Sequence, residues 1–147
     1  LNLGVRNSFK KKLNFKKFRI YLREKYKVQR AYLFIGYIDA NVSLYKELQE
    51  AGYIVVLKPT LQVKKNKVAI TKGNVDAELV LHAMIQFRNY DKAIIVSGDG
   101  DFHCLVEYLN EKDKLSKIIV PNDKYSSLLR EFGSFIVPVK LFLEKVV

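Results

Sequence analysis

The sequence predicts an α/β fold, a doubly wound and mostly parallel sheet with helices on both faces. Two observations predict it. Short apolar runs alternate along the chain with longer segments whose apolar residues follow helical spacing. The chain has 147 residues, of which 49% are apolar, which suits one domain with a sizeable core. We therefore expect a single domain over residues 1–147 in which strands and helices alternate.

The first half of the chain shows clear local signals. Leu44, Tyr45 and Leu48 follow helical spacing, and a compact apolar run stands between Gly52 and Pro59. A lysine-rich stretch with alternating branched residues comes next, which is typical of an exposed loop or hairpin. These signals predict, in order, a strand within 28–38, a helix over 42–50, a strand over 53–57 and a loop or hairpin over 61–71.

The second half continues the alternation. A long segment carries an apolar stripe at helical spacing, made of Leu79, Val80, Ala83, Met84 and Phe87. The other segments are apolar runs and amphipathic stretches, and Pro138 suits the first turn of a last helix. The predicted elements are a helix over 76–87, a strand over 92–96, a helix over 102–110, a strand over 117–120, a helix over 125–132, a strand over 135–137 and a C-terminal helix.

Positive charge is concentrated at the N-terminus. Residues 1–30 contain eleven Lys or Arg and one acidic residue, whereas the other 117 residues are nearly balanced. One-sided positive charge interleaved with aromatic residues is typical of nucleic-acid binding. The alternative is a solvated basic helix face with the aromatic residues buried behind it. The candidate nucleic-acid-binding residues here are Lys10, Lys11, Lys12, Lys16, Lys17 and Arg19.

The remaining composition concerns the compartment. Cys104 is the only cysteine, so the chain cannot form an internal disulfide, which fits a reducing environment. No apolar run reaches the roughly 18 residues of a membrane span, and no signal peptide is visible. We therefore expect a cytoplasmic protein without a membrane partner.

Two acidic residues come after the predicted strand over 92–96, in the run Ser97-Gly98-Asp99-Gly100-Asp101. Ligands bind just beyond the carboxyl ends of strands in open α/β sheets. Paired carboxylates there suggest a hard divalent cation, Mg²⁺ or Mn²⁺. The alternative is a polar turn in which Asp101 caps the next helix.

A second acidic pair, Asp76 and Glu78, stands at the start of the long predicted helix. Negative charge in a first helical turn is stabilised by the helix dipole, which is a sufficient structural explanation. The functional alternative is that these carboxylates meet the pair after the strand at one edge of the sheet.

Taken together, Lys72-Gly73-Asn74-Val75-Asp76 and Ile94-Ile95-Val96-Ser97-Gly98-Asp99-Gly100-Asp101-Phe102 resemble the NYN domain, a branch of the PIN-like nucleases, over nearly the whole chain. The resemblance implies a Rossmann-like sheet whose acidic residues bind Mg²⁺ or Mn²⁺ and cleave RNA. By motif position, it implies that Asp76, Asp99 and Asp101 are catalytic metal ligands supported by Ser97.

Two departures from the family pattern stand out. Members begin with a strand ending in Ile-Asp-x-x-Asn, whereas residues 1–5 resemble the family's residues just after that Asn. We therefore expect this strand and its Asp to be absent from the given sequence. Asp39 lies in a similar run, but its spacing to Asn41 is one residue short, and we do not equate the two. His82 stands where many relatives carry a further acid; it is either an ordinary surface histidine or a position for which Glu78 compensates as a metal ligand.

The resulting hypothesis is a metal-dependent ribonuclease whose substrate, most simply single-stranded RNA, is held by the N-terminal segment and by Lys64, Lys65, Lys67 and Lys72. One alternative is a non-catalytic RNA-binding or protein-interaction module with a degraded site. Another is a Toprim-type metal enzyme, which needs a Glu after an early strand, where this chain offers only Asp39. The sequence does not decide whether the substrate is RNA or DNA, whether cleavage is endonucleolytic or exonucleolytic, or what the oligomeric state is.

Overall fold

The computed structural model describes residues 1–65, 68–72 and 74–147, without the side chains of residues 2, 3, 62–65 and 68–72. Its α-helices are α1 (Asn2–Phe9), α2 (Phe15–Tyr26), α3 (Val42–Glu50), α4 (Asp76–Ile85) and α5 (His103–Glu111). Its strands are β1 (Ala31–Gly36), β2 (Tyr53–Lys58), β3 (Leu61–Lys65), β4 (Val68–Lys72), β5 (Ala93–Val96), β6 (Leu115–Val120) and β7 (Ile136–Pro138). Among these residues, no helix combines the length and the apolar character that a membrane crossing requires.

The fold is mixed α/β with parallel strand pairs, as the alternating pattern predicts. The chain divides into two compact units, which we name the split unit (Leu1–Asn14 and Val80–Val147) and the central unit (Phe15–Leu79). The single-domain organisation, the doubly wound order and the missing first strand stay predictions.

The central unit contains a β–α–β element. Strands β1 and β2 pair in parallel from Ala31 opposite Tyr53 to Gly36 opposite Lys58, and α3 connects them. Ala31, Leu48 and Tyr53 form its buried core. Strands β3 and β4 pair antiparallel, so the lysine-rich stretch forms a hairpin, which is one of the two forms its alternating pattern predicts.

Arg19 of α2 is buried in the central unit, with 8% of its surface exposed. Its Nε donates to the Gly52 carbonyl at 3.2 Å, and its two terminal nitrogens donate to the carbonyls of Val28 and Gln29 at 3.2 and 3.1 Å. Gly52 has a positive φ of 103°, a conformation that suits glycine. The guanidinium thus joins α2 to the start of β1 and to the turn before β2. The interpretation of Arg19 as a nucleic-acid-binding residue is therefore replaced by a structural one.

Replacing Arg19 by Met should lower the free energy of unfolding by about 2 kcal/mol or more, because three partly buried hydrogen bonds lose their charged donor. Urea denaturation followed by circular dichroism measures this loss. Arg19→Lys should recover little of it, since one ammonium cannot reproduce the planar fork that reaches three carbonyls. Arg23→Met, at an exposed position of the same helix, is the control. Equal stability of the Arg19→Met and Arg23→Met proteins would contradict the structural role.

The split unit contains three parallel strands in the order β5, β6, β7. Helix α5 connects β5 to β6, and a segment of 3-10 helix, Ser127–Phe135, connects β6 to β7. Its core is built from α5, β6, the 3-10 segment and the terminal segments. Its largest fully buried side chains are those of Val5, Leu13, Val106, Leu109, Ile118, Ile119, Val120, Leu129, Val139 and Val146. The parallel strands therefore end at one common edge of this sheet.

Two helix predictions in the split unit are wrong. Residues 125–132 do not form an α-helix, because Ser127–Phe135 is 3-10 helix with a kink at Phe132. Leu129 and Phe132 are both buried, and three residues per turn brings this i, i+3 pair to the same side. Pro138 does not open a last helix but ends β7, and two short 3-10 turns come after it. The non-helical backbone at Phe142 separates them.

Helix α4 is shorter and less buried than its pattern predicts. It ends at Ile85, and a 3-10 turn, Phe87–Asn89, comes next. None of its residues is fully buried, and Met84 of the predicted stripe is 39% exposed. Leu81 and Ile85 are also exposed. Because apolar residues occur all around this helix, its sequence does not select one buried face.

Candidate acidic site

Two exposed carboxylates lie in the turn after β5. The amide of Asp99 donates to the hydroxyl oxygen of Ser97 at 3.1 Å, and the amide of Asp101 donates to Asp99 Oδ1 at 2.9 Å. Asp99 thereby caps the 3-10 turn Gly100–Phe102. The capping residue is therefore Asp99, whereas the polar-turn alternative predicted Asp101. Local hydrogen bonds of this kind keep both carboxylates at the carboxyl end of the strand.

The turn is held against the segment after β6. The amide of Ser126 donates to the Gly98 carbonyl at 2.9 Å. A Cβ on Gly98 would lie 3.0 Å from the Cβ of Tyr125, and one on Gly100 would lie 2.4 Å from the Ser126 hydroxyl oxygen. A side chain at Gly100 would therefore force a shift, and one at Gly98 would press on Tyr125. The buried Phe102 anchors the end of the turn.

The donor set of this turn suits a hard cation. Asp99 and Asp101 are exposed and offer carboxylate oxygens, which Mg²⁺ and Mn²⁺ prefer. The cap engages one Asp99 oxygen, and a carboxylate has a second oxygen to offer. Ser97 acts on the backbone of Asp99, and its role in supporting a metal site stays a prediction.

The second acidic pair lies in the central unit, at the start of α4. Asn74 Oδ1 accepts a hydrogen bond from the Asp76 amide at 2.8 Å. Glu78 forms an ion pair with Lys58, with 3.1 Å between the Lys58 Nζ and Glu78 Oε1. Lys58 also donates to the Asn74 carbonyl at 2.7 Å. The helix start is therefore tied to the end of β2.

Sequence reasoning missed Lys58. The signal that points to it is its position as the last residue of β2, the same strand end at which ligands bind in open sheets. The contact with Lys58 also changes the interpretation of Glu78, whose carboxylate forms an ion pair with the Lys58 ammonium.

The basic candidates differ in their surroundings. Lys10, Lys12, Lys16 and Lys17 are exposed. Lys11 pairs with Glu144 at 2.5 Å in an exposed ion pair, which contributes little to stability. Lys64 and Lys65 lie in β3 and Lys72 in β4, with side chains that are not described, and Lys67 lies outside the described residues.

Asp39 and His82, which the sequence analysis considered, lie on other elements of the fold. Asp39 is exposed in a 3-10 turn, Asp39–Asn41, where its hydrogen bond to Tyr37 raises the pKa of that phenol. His82 is half-buried on α4.

A further group in the split unit was not anticipated. His103, Glu107 and Glu131 each place one potential ligand atom within 4.8 Å of the others. His103 Nε2 lies 2.6 Å from Glu131 Oε1, and His103 and Glu107 share a face of α5 at i, i+4. The two glutamates are exposed. The contact between His103 and Glu131 links α5 to the 3-10 segment.

Comparison with known proteins assigns the chain to a family. The sequence profile of the NYN domain matches residues 2–141. The fold is similar to the crystal structure of a protein of unknown function from Vibrio parahaemolyticus, with a TM-score of 0.68 and 23% identity over 93% of this chain and 85% of that chain. No curated protein matches significantly. The chain therefore belongs to the NYN domain family, which is of the PIN-like nuclease type.

Proposed function

We propose that this protein is a metal-dependent ribonuclease that hydrolyses phosphodiester bonds of single-stranded RNA. The observation that carries the proposal is the turn after β5, where local hydrogen bonds hold two exposed carboxylates at the end of a parallel strand. Membership of a nuclease-type family supports the same chemistry.

In this proposal, Asp76, Asp99 and Asp101 hold Mg²⁺ or Mn²⁺ together. When bound, the cation lowers the pKa of a coordinated water and stabilises negative charge on the phosphate. Ser97 fixes the backbone of Asp99, and Asp99 fixes that of Asp101. We place Glu78 beside this set and not in it, because Lys58 pairs with it.

The chain's cations perform a separate task. Carboxylates repel the phosphates of RNA, so substrate binding needs positive charge elsewhere, and the lysines at 10–12 and 16–17 supply it. Contacts of this kind go to the backbone and do not read bases. The proposal therefore includes broad sequence specificity.

A Mn²⁺ titration followed by electron paramagnetic resonance tests the shared metal site. Asp76→Asn, Asp99→Asn and Asp101→Asn should each weaken Mn²⁺ binding by at least about tenfold, since even residues that merely support ligands reach that loss. Asp91→Asn, at an exposed position, is the control and should bind like the parent.

The variants separate the possible failures. If Asp76→Asn alone binds Mn²⁺ normally, Asp76 does not share the site. If no variant changes Mn²⁺ binding, or the parent binds none, the protein is a binding module and the ribonuclease proposal is wrong.

A further inference from the structure

We propose that Lys58 is a positioning residue that holds Asp76 in place through Asn74 and Glu78. The inference rests on the proposed function, in which Asp76 is a metal ligand. No element of the sequence motifs contains Lys58, and the contacts within the central unit alone point to it.

Lys58 is itself held firmly. It ends β2, where it pairs in register with Gly36 of β1, and its carbonyl accepts a hydrogen bond from the Tyr37 amide at 2.7 Å. Its side chain and that of Glu78 are 33% and 30% exposed. The ammonium therefore starts from a fixed strand end and acts in a partly desolvated setting, where charged contacts are stronger than at a fully exposed surface.

Asn74 transmits the contact. Its carbonyl oxygen accepts a hydrogen bond from Lys58 Nζ at 2.7 Å, and its side-chain oxygen accepts one from the Asp76 amide at 2.8 Å. The first amides of a helix have no partner within the helix, so this bond fixes where α4 begins. A single residue thus connects the end of β2 to the backbone of Asp76.

Glu78 provides the second connection. It lies two residues beyond Asp76 in the same first turn, and both residues are acidic. The Lys58 ammonium, 3.1 Å from Glu78 Oε1, offsets this concentration of negative charge. Losing Lys58 would therefore remove the hydrogen bond to Asn74 and the ion pair with Glu78 at the same time.

The sign of one measurement separates positioning from simpler roles. A nearby positive charge repels a divalent cation, so if Lys58 acted only as a charge, removing it would tighten Mn²⁺ binding. If Lys58 contacted RNA directly, its removal would weaken RNA binding even in EDTA. Positioning predicts weaker Mn²⁺ binding with unchanged RNA binding in EDTA.

The experiment compares Lys58→Met, which keeps the length of the side chain, with Lys58→Arg, which keeps its charge and donors. We expect Lys58→Met to weaken Mn²⁺ binding about fivefold or more, and Lys58→Arg to stay within about twofold of the parent. RNA affinity in EDTA should change less than about twofold in both. Lys46→Met, on the exposed side of α3, is the control for loss of one positive charge.

Hydrogen exchange at the Asp76 amide provides a readout that does not depend on metal. It should become faster in Lys58→Met and not in Lys46→Met, at equal global stability. Unchanged exchange, or Mn²⁺ binding as tight as or tighter than that of the parent, would overturn the positioning role. The parent protein's own Mn²⁺ binding decides the proposed function, so the two failures are distinguishable.

Discussion

Asp99→Asn should reduce the cleavage of single-stranded RNA by at least about 100-fold, which corresponds to about 2.7 kcal/mol of lost transition-state stabilisation. Asparagine keeps the side-chain oxygen that accepts a hydrogen bond from the Asp101 amide, and it caps a helix as well as aspartate does. The fold of the turn should therefore survive, and the loss reflects the missing negative charge. A fluorescent single-stranded RNA, with Mn²⁺ and with EDTA, measures the rate.

The same variant should still bind RNA, because the proposed binding charge lies in another part of the sequence. Asp91→Asn is the matched control and should cleave like the parent. If Asp99→Asn cleaves as fast as the parent, the activity comes from a contaminant or from other residues.

Replacing Lys10, Lys11, Lys12, Lys16 and Lys17 together by Ala should weaken RNA binding by about 100-fold or more at moderate salt. Each lost phosphate contact lowers the slope of log affinity against log salt by about 0.7 for a single strand, so the slope should fall by up to about 3.5. Fluorescence anisotropy at several salt concentrations measures both quantities. Mn²⁺ binding should stay within about twofold, since metal and substrate are held by different side chains.

A second set of five lysines makes the control equal in charge. Like the first set, it consists of exposed residues, and it includes a member of an exposed ion pair, that of Lys92 with Asp113. Its members are Lys46, Lys92, Lys112, Lys124 and Lys145. If both sets weaken RNA binding equally, the effect is one of net charge. If the first set changes neither affinity nor slope, the N-terminal segment is a solvated helix face.

Local sequence patterns alone predicted several secondary-structure elements and the family of this protein. The spacing of Leu44, Tyr45 and Leu48 predicts helix α3 with the bounds that the structure shows, and the alternating stretch before Asp76 predicts a hairpin as one of two forms. The run from Ser97 to Asp101 predicts a polar turn after a strand. Together with residues 72–76, residues 94–102 resemble the NYN family, and this family assignment is confirmed. Each of these signals depends on residues close together in the chain, where backbone preference and periodicity act directly.

Only the tertiary structure decided the roles of several charged residues. Arg19 stands in a basic segment, and its burial depends on carbonyls at Val28, Gln29 and Gly52 that the fold brings to it. Lys58 and Glu78 are twenty residues apart and pair because β2 ends beside the start of α4. The sequence does not show whether a charged side chain will contact water, RNA or a backbone carbonyl. Its partner depends on the packing of segments that are distant in the chain.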